Sequence, residues 1–422
     1  MFNQQRRKRR KMKKETGLTS RERVIMALNH QEPDRVPIDF GGTDATNIQL
    51  GPYKKLAALL GCPIEKPIFL HDLMQQQTEV SMELADRLYS DARFAYIGYP
   101  KEWRDDLAYD GTPVKVPRGF VPQIQENGDL LVMDSSGYPS MKMPKDGFFF
   151  DFPFHKLSEC RSIADIEGYR ADIESFDLSS WHDCSYEEMG QKAKKIRQGT
   201  DKYITGLFYG HVFQAGQVLR GWSQFPLDLA ENPGLAQALM EILVDGHIKN
   251  FDQWYAHVGS FVDAIEMTDD MGMQLSTWTS PSMYRTQIKP HHQRLFGHIR
   301  KTAPDLTLFF HSCGSIYDII PDFIEMGVQV LNPVQYTANK MELVHLKKEF
   351  GKDLSFWGGG CDSQNILVYG SPEQVEEEVK KNLSIMASGG GYVFASIHNI
   401  TEGVPARNIR AMYETAHQFG AY

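Results

Sequence analysis

No stretch of this chain stays apolar for the roughly 20 residues that a bilayer-spanning helix needs, and its N-terminus lacks the apolar segment of a secretory signal. A soluble, unexported, cytoplasmic protein is the expectation. Cysteine is scarce and odd in number, five residues scattered over 422, so no disulfide framework is expected and a reducing compartment suits it. Excess positive charge is missing from the body of the chain. Arg6 to Lys14 hold eight of the 45 basic side chains, and the remaining 37 face 54 acidic ones. Such an acidic body argues against nucleic acid as a partner. The basic run has no aromatic interleaving and no apolar face, so residues 1–17 are read as a disordered, solvated leader to one unit over 18–422.

What the chain does contain is alternation. Eight apolar runs lie at 35–40, 94–99, 203–208, 261–267, 306–310, 328–331, 354–357 and 392–397. Between them, segments such as 228–258, 281–301, 315–326 and 372–387 repeat apolar residues at three- and four-residue spacing, the period of a helix with one buried face. Thr19-Ser20-Arg21-Glu22 has the pattern of a capping box and starts a further helix that runs to about His30. Strand and helix in alternation mean a parallel sheet. Eight such units close most economically into a (β/α)8 TIM barrel, with the active site at the C-terminal strand ends. One stretch, 112–153, breaks the pattern: it is rich in Gly, Pro, Asp and β-formers and holds the turn signal Glu126-Asn127-Gly128-Asp129. It predicts a small antiparallel β insertion, a candidate lid over the barrel mouth.

His311-Ser312-Cys313 and, about fifty residues later, Cys361 lie just past the ends of the fifth and seventh runs. Extended chain puts side chains two apart on one face, so His311 and Cys313 can address one ion. One imidazole and two thiolates suit Zn2+, and three protein ligands leave a position open for substrate. The competing explanation, a core histidine with two inert cysteines, is opposed by an architecture that brings both strand ends to one rim. The other rim positions are also polar: His211 after the third run, Asp269 and Asp270 after the fourth, Asn332 and Gln335 after the sixth, His398 and Asn399 after the eighth. Of the two aspartates, one is expected to work as acid or base beside the substrate, with Asp270 ahead, while the other equally caps the next helix. Because the fourth strand belongs to the even-numbered layer, Asp270 is expected at a different depth from the metal. His211 is a further catalytic candidate. Asn332, Gln335, His398, Trp278 and Tyr209 are candidates for substrate binding, although barrel aromatics, Trp357 included, as often only pack. His291 and His292 read as surface or packing residues, and Cys62, Cys160 and Cys184 as structural.

These same residues carry a family resemblance. Over nearly all of the chain after about residue 18 the sequence resembles the uroporphyrinogen decarboxylase superfamily. The matching segments are Leu18-Thr19-Ser20-Arg21-Glu22-Arg23, Glu32-Pro33-Asp34-Arg35-Val36-Pro37, Asp269-Asp270-Met271-Gly272, His311-Ser312-Cys313-Gly314-Ser315, Asn332-Pro333-Val334-Gln335 and Trp357-Gly358-Gly359-Gly360-Cys361-Asp362. The resemblance implies the (β/α)8 barrel reached above. It departs from the true decarboxylases where they carry an arginine pair to grip a polycarboxylate: here 36–43 read Val-Pro-Ile-Asp-Phe-Gly-Gly-Thr, with no guanidinium fork. His-x-Cys with a distant Cys instead looks like the zinc site of the superfamily's corrinoid-dependent methyltransferases.

The resemblance implies methyl transfer between a small substrate and the corrinoid (cobalamin) of a separate protein. The substrate expected is an aryl methyl ether such as a methoxylated aromatic, with a thiol acceptor second. Asp245-Gly246-His247-Ile248-Lys249-Asn250 resembles a corrinoid-binding Asp-x-His-x-x-Gly but lacks its glycine, so the corrinoid is expected on a partner. A homodimer is allowed but not required. A decarboxylase, or a non-catalytic corrinoid- or metal-binding protein, are the alternatives.

Overall fold

The computed structural model describes residues 17–95, 101–134, 136–176 and 184–422. The basic leader, and the second half of the run expected at 94–99, lie outside them. The strands in chain order are β1 Leu70–Asp72, β2 Gln77–Thr78, β3 Ala92–Ala95, β4 Trp103–Leu107, β5 Pro113–Pro117, β6 Gln123–Ile124, β7 Leu130–Met133, β8 Pro139–Met143, β9 Tyr203–Tyr209, β10 Ala264–Thr268, β11 Thr307–His311, β12 Val330–Asn332, β13 Ser355–Trp357 and β14 Tyr392–Val393. Seven of these form one parallel sheet in the order β14-β13-β12-β11-β10-β9-β3. Residues 36–40 close the gap between its edges. Ile38 bridges Phe394 in parallel, Asp39 N–H donates to Phe394 O, and Asp91 N–H, just before β3, donates to Ile38 O. The result is a TIM-type barrel of eight staves.

Alternation along each stave explains the layers. On β10, Ile265 and Met267 pack outward against helices, whereas Ala264 joins Ala92, Tyr203, Phe309, Val330, Trp357 and Val393 in a second core inside the barrel. β11 repeats this with Leu308 and Phe310 outward and Phe309 inward. Strands buried on both faces read as continuous apolar runs, which is why the eight staves stand out in the sequence. The helices Pro233–Val258, Lys289–Thr302, Ile320–Glu325, Leu343–Phe350 and Pro372–Met386 cover the outside. Three antiparallel pieces lie apart from the barrel sheet, the ribbon β1–β2 and, within or next to the stretch expected as an insertion, β4–β5 and β6–β7–β8. The pair β4–β5 begins before the stretch expected, at Trp103, because Trp103-Arg104-Asp105-Asp106-Leu107 is too polar to show a strand. Trp103 packs it edge-on against Phe69, just before β1, with ring centroids 4.7 Å apart. Among the described residues no helix is long and apolar enough to cross a membrane.

The closure rests on a buried carboxylate. Asp91 accepts from Arg23 Nη1 at 2.8 Å, from Arg35 Nη1 at 2.7 Å and Nη2 at 3.0 Å, and from Ile38 N at 3.0 Å. Arg23 turns its other edge to Asp34, with Nε 2.6 Å from Oδ1. Thus Arg-Val-Pro at 35–37 and Arg23 are tied to the start of β3. Removing one partner of a buried charge network strands the others. We expect Asp91→Ala to lower unfolding free energy by about 3–5 kcal/mol, measured by urea denaturation; a loss below about 1 kcal/mol would show that the closure does not depend on it.

Candidate metal centre and active site

The ends of β10, β11 and β12 meet backbone to backbone. Asp269 N–H donates to His311 O, and Ser312 N–H to Asn332 O. Beyond them the two loops touch at glycines: a Cβ on Gly272 would lie 2.5 Å from Cys313 O, and one on Gly314, whose φ is +84°, 2.4 Å from the Gly272 carbonyl carbon. Only glycine permits this approach. The contact brings Asp270 to the Cys313 loop, where its Oδ1 accepts from Cys313 N at 2.8 Å and lies 3.6 Å from His311 Nε2. Asp270 sits two residues beyond Thr268, the register partner of His311, and its carboxylate reaches back to the histidine.

Hydrogen bonds fix the two ring tautomers. Asn332 is fully buried and donates Nδ2 to Trp357 O at 2.9 Å, so its Oδ1 faces His311 Nδ1 and accepts from it. His311 then carries its proton on Nδ1 and presents the Nε2 lone pair 3.3 Å from Cys313 Sγ. A carbonyl partner on the far nitrogen is the usual way a ligand histidine is oriented. Near it, a ring nitrogen of His398 joins the His311 nitrogen and Cys313 Sγ, all within 4.8 Å of one another. His398 is the reverse case. Its Nδ1 accepts Asn399 N–H at 2.8 Å, which leaves the proton on Nε2. Burial, helped by the neighbouring His311 and opposed by Asp270, pushes His398 down to about 4, so it is neutral near pH 7. Burial and then Asp270 push the Cys313 thiol well up.

The expected ligands thus separate. His311 and Cys313 come together, but the Cys361 thiol donates to Glu378 Oε2 at 3.1 Å, with burial first and that carboxylate second raising its pKa. Asp269 points to the helix layer. It accepts from Val212 N at 3.1 Å, Phe213 N and Gln214 N at 2.7 Å each, and His292 Nε2 at 2.8 Å. Burial alone would raise its pKa; His292, with His211 and the backbone donors, holds it below the ordinary carboxylate value. It is a helix-terminal anchor, and His292 is more than a packing residue. Gln335 Oε1 accepts Gly314 N–H at 2.9 Å, and Asn399 Nδ2 donates to Gln75 Oε1 at 2.8 Å. Like Asn332, both brace the rim. Tyr209 stacks on His211 at 5.3 Å, Trp278 packs near Phe213 at 6.4 Å, and Trp357 is buried with Nε1 donating to Asp39 Oδ2 at 2.7 Å.

Deeper in the barrel lies a group of carboxyls that no motif announced. Asp44 N–H donates to both oxygens of Glu266, each at 3.1 Å. Burial first, then Asp72, raises the Asp44 pKa, with His211 opposing; burial raises Asp72, and burial with Asp44 raises Glu266. A lone charge in the apolar run Ala264-Ile265-Glu266-Met267 is the signal that would have found the group.

Comparison with known proteins gives the family. The sequence model of Uroporphyrinogen decarboxylase (URO-D) matches residues 194–419. The chain belongs to the uroporphyrinogen decarboxylase family. The family's curated decarboxylases from Methylococcus capsulatus and Vesicomyosocius okutanii are 23% identical over 261 residues and 32% identical over 79 residues. These stretches cover 61% and 19% of this chain and 63% and 22% of theirs. The chain therefore spans less than two thirds of the length of these relatives. A solved methyltransferase from Methanosarcina mazei shares the fold, with TM-score 0.57 and 17% identity over 96% of this chain and all of that one.

Within the uroporphyrinogen decarboxylase fold, the carboxyl group leads to a pH test. A carboxyl whose folded pKa is raised binds its proton longer in the folded than in the unfolded chain, so ionising it costs stability as pH rises from its ordinary value near 4. Asp44→Asn should therefore melt close to wild type at pH 4.5 and above it at pH 8, by differential scanning calorimetry. A variant equally shifted at both would show that the Asp44 charge carries no penalty.

Proposed function

We propose that the chain is a zinc-dependent methyltransferase, moving a methyl group between a small substrate and the corrinoid of a partner protein. The observation that carries this reading is the His311–Cys313 pair: a lone-pair nitrogen and a sulfur 3.3 Å apart, at the mouth of a barrel, with the imidazole held in the ligand tautomer by Asn332. The donor set is soft and suits zinc. Bound there, zinc would supply Lewis acidity to a substrate sulfur or ether oxygen. Cys361, the third ligand expected from the sequence, rests on Glu378, while His398 offers an N–H in place of a lone pair. We therefore retain Cys361 as third ligand and assign His398 to hydrogen bonding beside the metal. Asp270 holds the Cys313 loop through Cys313 N–H and stands 3.6 Å from His311 Nε2.

A decarboxylase of a polycarboxylate has less support. Beyond the missing arginines, the barrel interior presents Asp44, Asp72 and Glu266, and among the described residues no lysine or arginine pairs with them to grip an anionic substrate.

Metal analysis of the purified protein, with cob(I)alamin assays against methoxylated aromatics, methylamines and thiols, tests the reading. Absence of stoichiometric zinc, or zinc without turnover of any donor or acceptor, counts against it. Cys313→Ser and Cys361→Ser should each lose most zinc and keep the fold, and Asn332→Ala should weaken zinc binding about 10- to 100-fold. His398→Asn should keep zinc; loss there with retention in Cys361→Ser would reverse the ligand assignment. Asp270→Asn should keep zinc while methyl transfer falls on the order of 10²-fold. Zinc falling in step would make Asp270 a ligand.

A further inference from the structure

His398 ends the eighth stave in a strained backbone conformation. Its φ is +62°, in the left-handed region that a residue with a Cβ rarely adopts, and such strain persists only where the surroundings impose it. The chain is pinned on both sides. Before the residue, Phe394 N–H donates to Pro37 O, and after it Ile400 N–H donates to Asn47 O. Asn399 adds its side chain, with Oδ1 accepting from Asn47 N at 2.9 Å and Nδ2 donating to Gln75 Oε1 at 2.8 Å. Between these anchors the ring is brought to His311, T-shaped, with centroids 5.3 Å apart and planes at 72°.

Hydrogen bonding decides what the ring offers there. A backbone N–H can only donate, so the 2.8 Å contact from Asn399 N makes His398 Nδ1 an acceptor and puts the ring proton on Nε2. Nδ1 spends its electron pair on Asn399, which leaves none for an ion. Among the described residues Nε2–H has no partner, although one nitrogen of this ring lies within 4.8 Å of both a His311 ring nitrogen and Cys313 Sγ. An N–H is thus left over beside a lone-pair nitrogen and a sulfur that are 3.3 Å apart. A substrate atom that binds a metal held by that pair gives it one lone pair and needs a second to accept from His398. Divalent oxygen and sulfur carry two. A neutral amine has one and an ammonium none, and either would turn its own N–H against that of His398, donor against donor.

We propose that the reacting atom of the substrate is a divalent oxygen or sulfur, and that His398 Nε2–H donates to the lone pair it does not give to the metal. This rests on the methyl-transfer reading of the same site and narrows it to ethers, thioethers and thiols, with methylamines excluded. Methoxyethanol, methylthioethanol and N-methylethanolamine differ only in the atom that bears the methyl group. Titrated calorimetrically into the zinc-loaded full chain, the ether and the thioether should each bind at least about 10-fold more tightly than the amine, a tenfold step being one net hydrogen bond. His398→Phe should keep its zinc and lose that preference, and His398→Gln, which keeps an N–H donor, should retain part of it. In the metal-free chain, NMR of nitrogen-labelled histidine should find the His398 proton on Nε2. The proposal is overturned by an amine bound as tightly as the ether, by a proton on Nδ1, by zinc lost from His398→Phe, or by undiminished ether binding in a natively melting His398→Phe. Should that variant fail to fold, the wild-type ranking and the ring proton decide. Should the chain take up no zinc, the methyl-transfer reading fails by itself, and the His398 Nε2–H resonance of the metal-free chain is followed as methoxyethanol is added: movement supports the donor role and no movement overturns it. Cobalamin is absent throughout, so a lack of methyl transfer leaves the ranking standing.

Discussion

The pleat at the end of β10 governs the site. Asp269 and Asp270 are adjacent, so their side chains leave opposite faces of the stave. The outward one gathers three backbone N–H groups where β9 gives way to the helix Phe213–Arg220, and holds His292 of the next helix layer. The inward one takes Cys313 N–H. A one-residue slip of β10 would turn each to the opposite face and move the metal-side carboxylate out of register with His311. The paired register from Ala264–Thr307 to Thr268–His311 prevents the slip, and the close contact of Gly272 with Gly314 holds the loops beyond it. Metal-ligand geometry here is thus a consequence of sheet register.

Charge is distributed by the same geometry. At the closure and in the helical layer, carboxylates meet guanidinium forks, and a buried pair of that kind is tolerable because each charge answers the other. Inside the barrel, among the described residues, no lysine or arginine pairs with Asp44, Asp72 or Glu266, and His211 alone opposes the rise at Asp44. An uncompensated interior carboxylate is costly, and these groups hold their protons longer than usual.

The barrel was legible because doubly buried strands leave uninterrupted apolar runs, and His311 and Cys313 because a two-residue spacing in extended chain fixes a shared face. Other features depended on contacts that no local pattern records. The polar strand β4 is hidden by exposure on its faces. Asp44 and Asp72 lie far apart from Glu266 in sequence, and each looks like an ordinary loop or cap residue until the barrel closes. Asp269 and Asp270 read as interchangeable, since only the pleat tells them apart. Asn332 and Gln335 stood at the right places for substrate binding, yet their amides are spent on His311 and Gly314.

The histidines show why ligand identity follows partners more closely than spacing. His311 and His398 end staves of one barrel, with ring centroids 5.3 Å apart, and from sequence either suits a metal. Asn332 places a carbonyl oxygen at Nδ1 of the first, which forces the proton there and frees Nε2. The backbone N–H of Asn399 occupies Nδ1 of the second, which forces the proton to the other nitrogen. One ring therefore offers an electron pair and its neighbour an N–H, so the pair can hold a cation and orient an acceptor beside it. Replacing either partner would be felt as a change of tautomer before any change of fold, because each imposes its proton through a single hydrogen bond.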